Sequence, residues 1–448
     1  MLKYHDLLVL LACGVLGFGQ VLPNDAIALV MAFVATRRFI LQLDERPVLL
    51  ESAALIALVQ LVIAPLLMYR FLENEGRYRM YVEESQYFSL AIPGVVLYMV
   101  GLFSNIPYKT PRPAPTQNAV FDERTGMLFI FGGVAVSLLA GYLPGNLGFL
   151  FYILSQFRYV GAIYLYQSSS PLRIPLIALA LSGTMATAAR YGMFHELLLW
   201  FGMLGSYWFI VKKRPISHKI AYAAIAVLLV ILIQDIKAKY REYENTGSIS
   251  GFFSFMSTHD LFEDTETTNL FDSTVIRLNQ GWLVSRLQYN VPANIDFAEG
   301  STIKEALYSA LVPRILDRAK ATASGRDNLN RYSGLNLKEG TSMGMSPLGE
   351  GYVNFGGAGG MAFMFLFGLL LNFLYRTFAG WSYSNYFFLY AMPIVFLQAI
   401  KVETESLTVF NHLSKSMIVI IAIYYFFIRQ FPSIFRPVKQ PKTASAAR

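Results

Sequence analysis

Long apolar segments recur along the chain, separated by short polar stretches that contain turn residues. A membrane-spanning helix needs about 20 mostly apolar residues, and twelve segments approach that length, the second of them short. They are residues 5–22, 25–36, 51–70, 86–104, 126–143, 148–166, 173–189, 194–211, 219–235, 357–375, 384–400 and 416–430. The pattern predicts an all-α polytopic membrane protein with about 12 transmembrane helices.

One interval breaks this alternation, because residues 237–355 are polar and far too long for a simple connection. The predicted organisation is therefore transmembrane helices 1–9 in residues 1–236, a large loop with some helix in 237–355, helices 10–12 in 356–430, and a basic tail in 431–448. The apolar start continues into further apolar segments. It therefore predicts a retained first span rather than a cleaved signal peptide.

Lysine and arginine in short loops predict the orientation, because they concentrate on the cytoplasmic side. Placing both termini in the cytoplasm puts most of the short-loop cations there. These are Arg37, Arg38, Arg46, Lys109, Arg112, Lys212, Lys213, Arg214 and Lys219. The main exceptions are Arg70, Arg77 and Arg79. The large loop is then external, which in a bacterium means periplasmic, and the protein is predicted to lie in the cytoplasmic (inner) membrane.

Composition agrees with a membrane protein: 55% of residues are hydrophobic, 15% are charged and the mean hydropathy is +0.44. Soluble domains carry about 25% charged residues. The net charge of +8 resides in short loops and the C-terminus, so it does not indicate nucleic-acid binding. The single cysteine, Cys13, excludes an intrachain disulfide, and no metal-binding or phosphate-loop motif occurs.

The net charge of the large loop changes sign along its length. Residues 242–272 are acidic around an aromatic run, which is predicted to lie along the membrane surface or to form a buried hinge. Residues 274–338 contain nine basic and five acidic residues. Arg314 and Arg318 are spaced to share one helical face, and guanidinium groups pair bidentately with phosphate. The alternative is a solvated helix face. Thr302 and Glu305 predict a capping box.

Two further places carry candidate chemistry. The glycine-rich end of the loop can let a span pack closely, and its flexible backbone can bring Glu350, Tyr352 and Asn354 to a ligand. Charged groups near or within spans are functional hypotheses by default, which singles out Arg190 and Arg158. Arg158 is predicted to contact a lipid phosphate or to pair with a carboxylate such as Glu403 or Glu405.

An arginine-rich outer loop that precedes Glu-Gly-Tyr-Val-Asn-Phe-Gly-Gly-Ala-Gly-Gly (350–360) resembles the bacterial O-antigen or oligosaccharide repeat-unit polymerases of the Wzy type. Ala310–Leu316 resembles the Pro-Arg element of that family, and Arg277 and Arg286, followed by Pro292 and Gly300, resemble its upstream pattern. The chain departs from related sequences after Arg314, where it has Ala-Lys-Ala in place of a Lys-Pro pair.

The resemblance implies a GT-C-like architecture and a metal-independent glycosyl transfer without a cofactor. One undecaprenyl-diphosphate-linked oligosaccharide donates its chain to another, with a chain-length regulator and a flippase as implied partners. Fixed arginines then stabilise the leaving diphosphate. The implied catalytic residues are Arg190, Arg314, Arg318 and Glu350. The implied substrate-binding residues are Arg158, His195, Arg277, Arg286, Arg331, Tyr352 and Asn354. Either Glu350 or His195 is the expected base, with the carboxylate favoured.

Other functions remain open at this point. An O-antigen ligase shares the same donor chemistry, and a polyprenyl-phosphate glycosyltransferase is disfavoured because the first external loop offers only Asn24 and Asp25 as an acidic motif. A polysaccharide flippase or transporter belongs to another class and has no need of a basic, aromatic external loop of this size.

Overall fold

A computed structural model describes most of the chain. It describes residues 2–72, 76, 78–104, 119–139, 142, 147–166, 168, 170–192, 194–242, 248–258, 270–312, 317, 325–338 and 343–431. Within these ranges the regular elements are helices, and no strand occurs. The proline-rich segment 111–117, predicted as an extended linker, lies outside them.

The first ten helices follow the apolar segments of residues 1–236. They are α1 (Leu2–Phe18), α2 (Asn24–Gln42), α3 (Leu49–Leu58), α4 (Ala64–Phe71), α5 (Glu84–Phe103), α6 (Ala119–Leu139), α7 (Gly148–Leu165), α8 (Arg173–Tyr191), α9 (His195–Val211) and α10 (Ile216–Glu242). Helices α3 and α4 form one continuous rod, joined by a π-helical segment, Val59–Ile63.

Five short helices follow in the predicted loop, and three apolar helices close the bundle. The loop helices are α11 (Ile249–Thr258), α12 (Leu270–Leu278), α13 (Gly281–Asn290), α14 (Ser301–Leu311) and α15 (Arg326–Ser333). The last three are α16 (Ser346–Ser382), α17 (Tyr386–Phe396) and α18 (Ser406–Ile423), which continues as a π-helical segment, Tyr424–Ile428.

The twelve predicted apolar segments each coincide with a helix, so an all-α membrane protein is confirmed at that level. Five helices in the described part are long and apolar enough to cross a membrane. They are Leu49–Phe71, Glu84–Phe103, Ile216–Ile233, Ser346–Ser382 and Ser406–Ile428, and two shorter apolar helices are Tyr4–Phe18 and Tyr386–Phe396. The number of spans and the side on which the loop lies stay predictions.

The loop helices pack onto one end of the bundle, which we call the loop end. Helix α12 contacts α4 and α10, α13 contacts α4, α15 and α16, and α14 contacts α16 and α18. Apolar side chains hold this layer together, with Leu283, Leu287, Leu329 and Val353 almost completely buried. The loop is therefore fastened to the membrane helices rather than folded as a separate unit.

Close packing in the bundle depends on small residues. Helices α5 and α16 make the most extensive contact, and Gly101 and Gly368 face each other there. A side chain added at either glycine would collide with the backbone of the other helix. Glycine allows two helix backbones to approach closely in a membrane, where packing rather than the hydrophobic effect drives association.

Two predictions for the large loop need correction, one at its end and one at the start of α14. Residues 350–354 do not lie on flexible backbone, because α16 already begins at Ser346 and its helical geometry is interrupted only at Gly356 (φ 70°, ψ −166°). The capping box is also wrong. Helix α14 begins after Gly300, which has a left-handed φ of 83° and no side-chain cap, and the Thr302 hydroxyl donates to Glu350 instead.

An ion pair between Arg46 and Glu51 lies in the interior beside Tyr375, with 2% and 0% of the two side chains exposed. Removing one partner of a buried pair leaves the other charge without compensation and costs about 3–5 kcal/mol, whereas replacing both by apolar residues costs much less. We expect Arg46→Met to lower the thermal unfolding midpoint in detergent, and Arg46→Met/Glu51→Leu to recover most of the loss. The pair between the half-buried Arg326 and the exposed Asp327 supplies the control, because Arg326→Met should change the midpoint little. Equal loss in the single and double variants would contradict this expectation.

Candidate functional site

A cavity of about 570 Å³ opens at the loop end of the bundle. Its walls come from the α3–α4 rod, the start of α9, the α12–α13 connection, two short loop segments around Gly325 and Gly344, and the α17–α18 connection. Polar side chains dominate the surface. Those with chemistry to offer are Gln60, His195, Arg277, Lys401, Glu403 and Glu405.

The π-helical segment places Gln60 in this wall. A π-helical turn widens a helix by one residue and leaves a backbone group free for another partner, which is why such turns are frequent at functional sites. Here the Gln60 carbonyl accepts a hydrogen bond from the Gln280 amide (3.1 Å), just before α13 begins. The Gln60 side chain donates to Glu403 (3.4 Å). One membrane helix thus fastens both the loop layer and the α17–α18 connection.

Three basic side chains from separate parts of the chain line the cavity: His195 at the start of α9, Arg277 near the end of α12, and Lys401 in the α17–α18 connection. His195 Nδ1 lies 3.5 Å from Glu403 Oε1. Burial lowers the pKa of Lys401, and the nearby Glu196 and Glu403 carboxylates oppose that shift. Because arginine stays charged at every relevant pH, Arg277 supplies a permanent positive charge to this wall.

Glu405 is the buried carboxyl of the cavity, with 2% of the residue exposed. Within the described structure neither carboxyl oxygen meets hydrogen-bond geometry. Burial raises the pKa of Glu405 to about 8, and the negative charges of Glu350, Glu305 and Asp327 contribute to the rise, which the Gly325 backbone amide opposes. A carboxyl group with a pKa near neutrality is suited to exchange protons with a ligand.

Gly325 closes the loop layer over this carboxyl. Its φ of +66° is left-handed, and a side chain there would lie 3.2 Å from the Glu405 carboxyl carbon and also collide with the Met343 backbone. Only glycine combines the left-handed backbone with this close approach at low cost. The loop layer therefore covers Glu405 with the backbone of Gly325.

A hydrogen-bonded cluster lies directly behind Glu405. Glu350 accepts from the Thr302 hydroxyl (2.9 Å) and from the Ser406 backbone amide (2.8 Å), and Asn354 donates to Thr302 (2.7 Å). Glu350 is 1% exposed and Asn354 is 2% exposed. Neither residue lines the cavity. The structure brings these two predicted site residues together as the support of the segment that carries Glu405.

Of the predicted site residues that the structure describes, His195 and Arg277 line the cavity and the others do not. Arg190 is exposed at the end of α8 with its guanidinium over the Tyr191 ring, and Arg331 is exposed on α15 over Tyr332. Arg286 donates to the Ser333 carbonyl (2.8 Å). The positions of Arg314 and Arg318 are outside the described residues.

The side chains of Arg158 and Tyr352 make hydrogen bonds within the protein. Arg158 is buried and donates to the hydroxyls of Ser137, Tyr159 and Thr184, so neither Glu403 nor Glu405 is its hydrogen-bond partner in the described structure. The Tyr352 hydroxyl donates to the Val291 carbonyl (3.0 Å).

Sequence reasoning missed Gln60, Lys401 and the cavity-lining role of Glu405. Gln60 lies inside an apolar span and gives no separate signal, because its contacts with Gln280 and Glu403 are made by residues far away in the sequence. Lys401 and Glu405 do give a signal in the sequence, since Lys-Val-Glu-Thr-Glu (401–405) places three charges between two apolar segments.

No family model, curated protein or solved structure matches the chain. Within the described residues, no group of three or more His, Cys, Asp or Glu side chains could hold a metal ion. What the cavity offers is a set of cations for an anionic group, amide groups for hydroxyls and a carboxyl that can exchange a proton.

Proposed function

We propose that the protein is a polymerase that joins undecaprenyl-diphosphate-linked oligosaccharide repeat units on the periplasmic face of the bacterial inner membrane and releases undecaprenyl diphosphate. In this proposal about 12 spans place both termini in the cytoplasm and the loop outside, in a GT-C-like arrangement. The observation that carries it is the cavity in which Arg277, Lys401 and Glu405 meet between membrane helices and the loop layer. The resemblance to the Wzy-type polymerases supplies the substrate class.

The cations of the cavity account for donor binding. Arg277 and Lys401 hold the diphosphate that links the donor glycan to its lipid, and His195 adds a third nitrogen ligand. As the glycosidic bond breaks, the electron pair leaves with the diphosphate oxygen and negative charge grows there. Positioned cations stabilise such charge more strongly in a partly dry site than in water. Arg190, Arg314 and Arg318 stay proposed contributors to donor binding on the strength of the resemblance alone.

Glu405 accounts for activation of the acceptor. Its carboxylate accepts the proton of the acceptor sugar hydroxyl while that oxygen forms a bond to the donor anomeric carbon. The bond between the anomeric carbon and the diphosphate breaks in the same transfer, so one glycosidic bond replaces another and the proton ends on Glu405. A base is most effective when its pKa lies near the working pH. Glu405 lines the cavity and Glu350 lies behind it, so the position of the two carboxyl groups favours Glu405 as the base.

Purified protein in liposomes tests the proposal directly. Given lipid-linked repeat units from a strain that lacks the protein, the wild type should lengthen them and release undecaprenyl diphosphate. Unchanged chain length would exclude a polymerase. Transfer only when lipid A core is added would indicate a ligase, and movement of the lipid-linked unit across the bilayer without elongation would indicate a flippase.

The pH dependence of elongation should follow Glu405. Only the carboxylate accepts a proton, so the rate of elongation at low substrate concentration should rise about tenfold per pH unit until the pH approaches about 8, and then become constant.

Glu350→Gln removes a nearby negative charge that raises the pKa of Glu405, so it should move this rise to lower pH. The glutamine oxygen can still accept from the Ser406 amide, and its NH2 group can donate to the Thr302 hydroxyl oxygen, which reverses that bond. Asn354→Ala disturbs the same cluster without a change of charge and should leave the position of the rise unaltered. If Glu350→Gln leaves the profile in place, the assignment of the titrating group is wrong.

A further inference from the structure

A second cavity of about 460 Å³ lies next to the first at the loop end of the bundle. The segment that contributes Tyr78 to the first cavity continues to Met80 and Tyr81 in the second. Asn279 lines the first cavity, and its side-chain amide lies 3.6 Å from the Met80 sulfur. The two cavities are therefore neighbours, and the contact between Asn279 and Met80 lies between them.

The chemistry of the second cavity differs from that of the first. Its described lining consists of two tyrosines, two glutamates and four apolar side chains, with no lysine or arginine among them: Met68, Tyr69, Leu72, Met80, Tyr81, Val82, Glu83 and Glu84. A phosphate group has no cation to meet among these residues. A neutral ligand that donates hydrogen bonds and also has an apolar face fits them far better.

Tyr81 is held in a fixed position, and its hydroxyl group can donate a hydrogen bond. Two guanidinium groups lie near its ring, with Arg286 at 4.7 Å and Arg79 at 5.2 Å from the ring centre, and its backbone amide donates to Ser285 (3.1 Å). Arg286 donates to the Tyr81 hydroxyl oxygen (2.6 Å). Because the oxygen accepts this bond, the hydroxyl can still donate its own proton to a ligand.

Two carboxylates, Glu83 and Glu84, supply the hydrogen-bond acceptors of the second cavity. Glu84 is fixed by Arg70 (2.9 Å) and Asn24 (2.8 Å), while the neighbouring Glu83 is exposed to the cavity mouth and can accept hydrogen bonds from ligand hydroxyls. The half-buried Met80 provides a flexible, polarisable surface that can adapt to a ligand. Donor, acceptor and apolar surface together match a sugar ring, which has hydroxyl groups around its edge and C–H groups on its faces.

We propose that the second cavity binds neutral sugar residues of a lipid-linked repeat unit, while the first cavity holds the diphosphate and the reacting sugar. This inference rests on the proposed function for the identity of the glycan. It gives the protein a specificity site that is separate from the reacting groups, so that the sugar sequence is recognised at Tyr81 and Glu83 and the chemistry occurs at Arg277 and Glu405.

Binding of two separate probes to the full-length protein tests this division. The first probe is the soluble oligosaccharide pool released by mild acid from the lipid-linked fraction of a strain that lacks the protein, and the second is inorganic pyrophosphate.

Tyr81→Phe and Glu83→Gln should each weaken glycan binding about 3- to 10-fold, as expected for one lost hydrogen bond, and leave pyrophosphate binding within twofold. Arg277→Ala should show the opposite pattern. Tyr142→Phe and Glu299→Gln change exposed residues of the same types elsewhere and serve as matched controls.

The outcomes separate this site from the polymerase proposal. Unchanged glycan affinity in both Tyr81→Phe and Glu83→Gln, or loss of glycan binding in Arg277→Ala alone, overturns the sugar site. If the wild type elongates lipid-linked units and the two variants bind glycan normally, only the sugar site fails. If the variants lose glycan binding and the wild type does not elongate, the sugar site stands and the polymerase proposal fails.

Discussion

Glu405→Gln is expected to reduce the elongation rate by about 10²- to 10⁴-fold, the range usually lost when a general base is removed. Glutamine has nearly the same shape, so the side chain can stay beneath Gly325 and the fold should persist. The variant also removes a buried carboxyl whose ionisation is costly, so its thermal stability should equal or exceed that of the wild type. Loss of activity without loss of stability is the signature of a chemical role.

Comparison with Glu350→Gln makes this test specific. Glu350 was the favoured base on sequence grounds, yet its two oxygens are engaged by Thr302 and Ser406 and it does not line the cavity. We expect Glu350→Gln to keep a substantial rate at its own optimal pH. Glu299→Gln, on the exposed connection before α14, is the control for a lost carboxylate. Full activity of Glu405→Gln together with an inactive Glu350→Gln would return the role of base to Glu350.

Arg277→Ala is expected to reduce elongation by about 10²- to 10³-fold, comparable with removal of one donor that stabilises developing negative charge. Most of the loss should appear in the maximal rate, because the leaving diphosphate becomes more negative as its bond breaks. Arg277→Lys should recover only part of the rate, since an ammonium group cannot form two parallel hydrogen bonds with phosphate. Steady-state kinetics with lipid-linked repeat units measures each of these effects.

Inhibition by pyrophosphate supplies an independent readout for the same residue. If Arg277 contacts the diphosphate, the concentration of inorganic pyrophosphate that halves the rate should rise in Arg277→Ala. Arg124→Ala removes an exposed arginine from α6, which contributes no residue to the cavity, and should match the wild type in both assays. Normal turnover and normal inhibition in Arg277→Ala would remove this residue from the anion site.

The membrane fold was predictable from the sequence, and the site was predictable in part. Apolar segments of about 20 residues must form helices in lipid, since each backbone polar group needs an internal partner. This local rule located the helices, including α2, whose predicted segment was short but which spans Asn24–Gln42. Arg277 was predicted from the resemblance of the loop to the Wzy-type polymerases, and His195 from its place at the start of an apolar segment, where a charge is costly unless it has a use.

The cavity itself was decided only by tertiary structure. Gln60 reaches Glu403 across 343 positions of sequence, and Glu350 reaches Ser406 across 56. No spacing rule predicts such contacts, because they depend on how the loop layer packs on the bundle and on one π-helical turn. The raised pKa of Glu405 likewise comes from burial and from charges on α14, α15 and α16. The sequence by itself determined which segments are helices and which residue types carry charge. Tertiary packing decided which of those charges share a cavity, since desolvation and proximity exist only after the chain has folded.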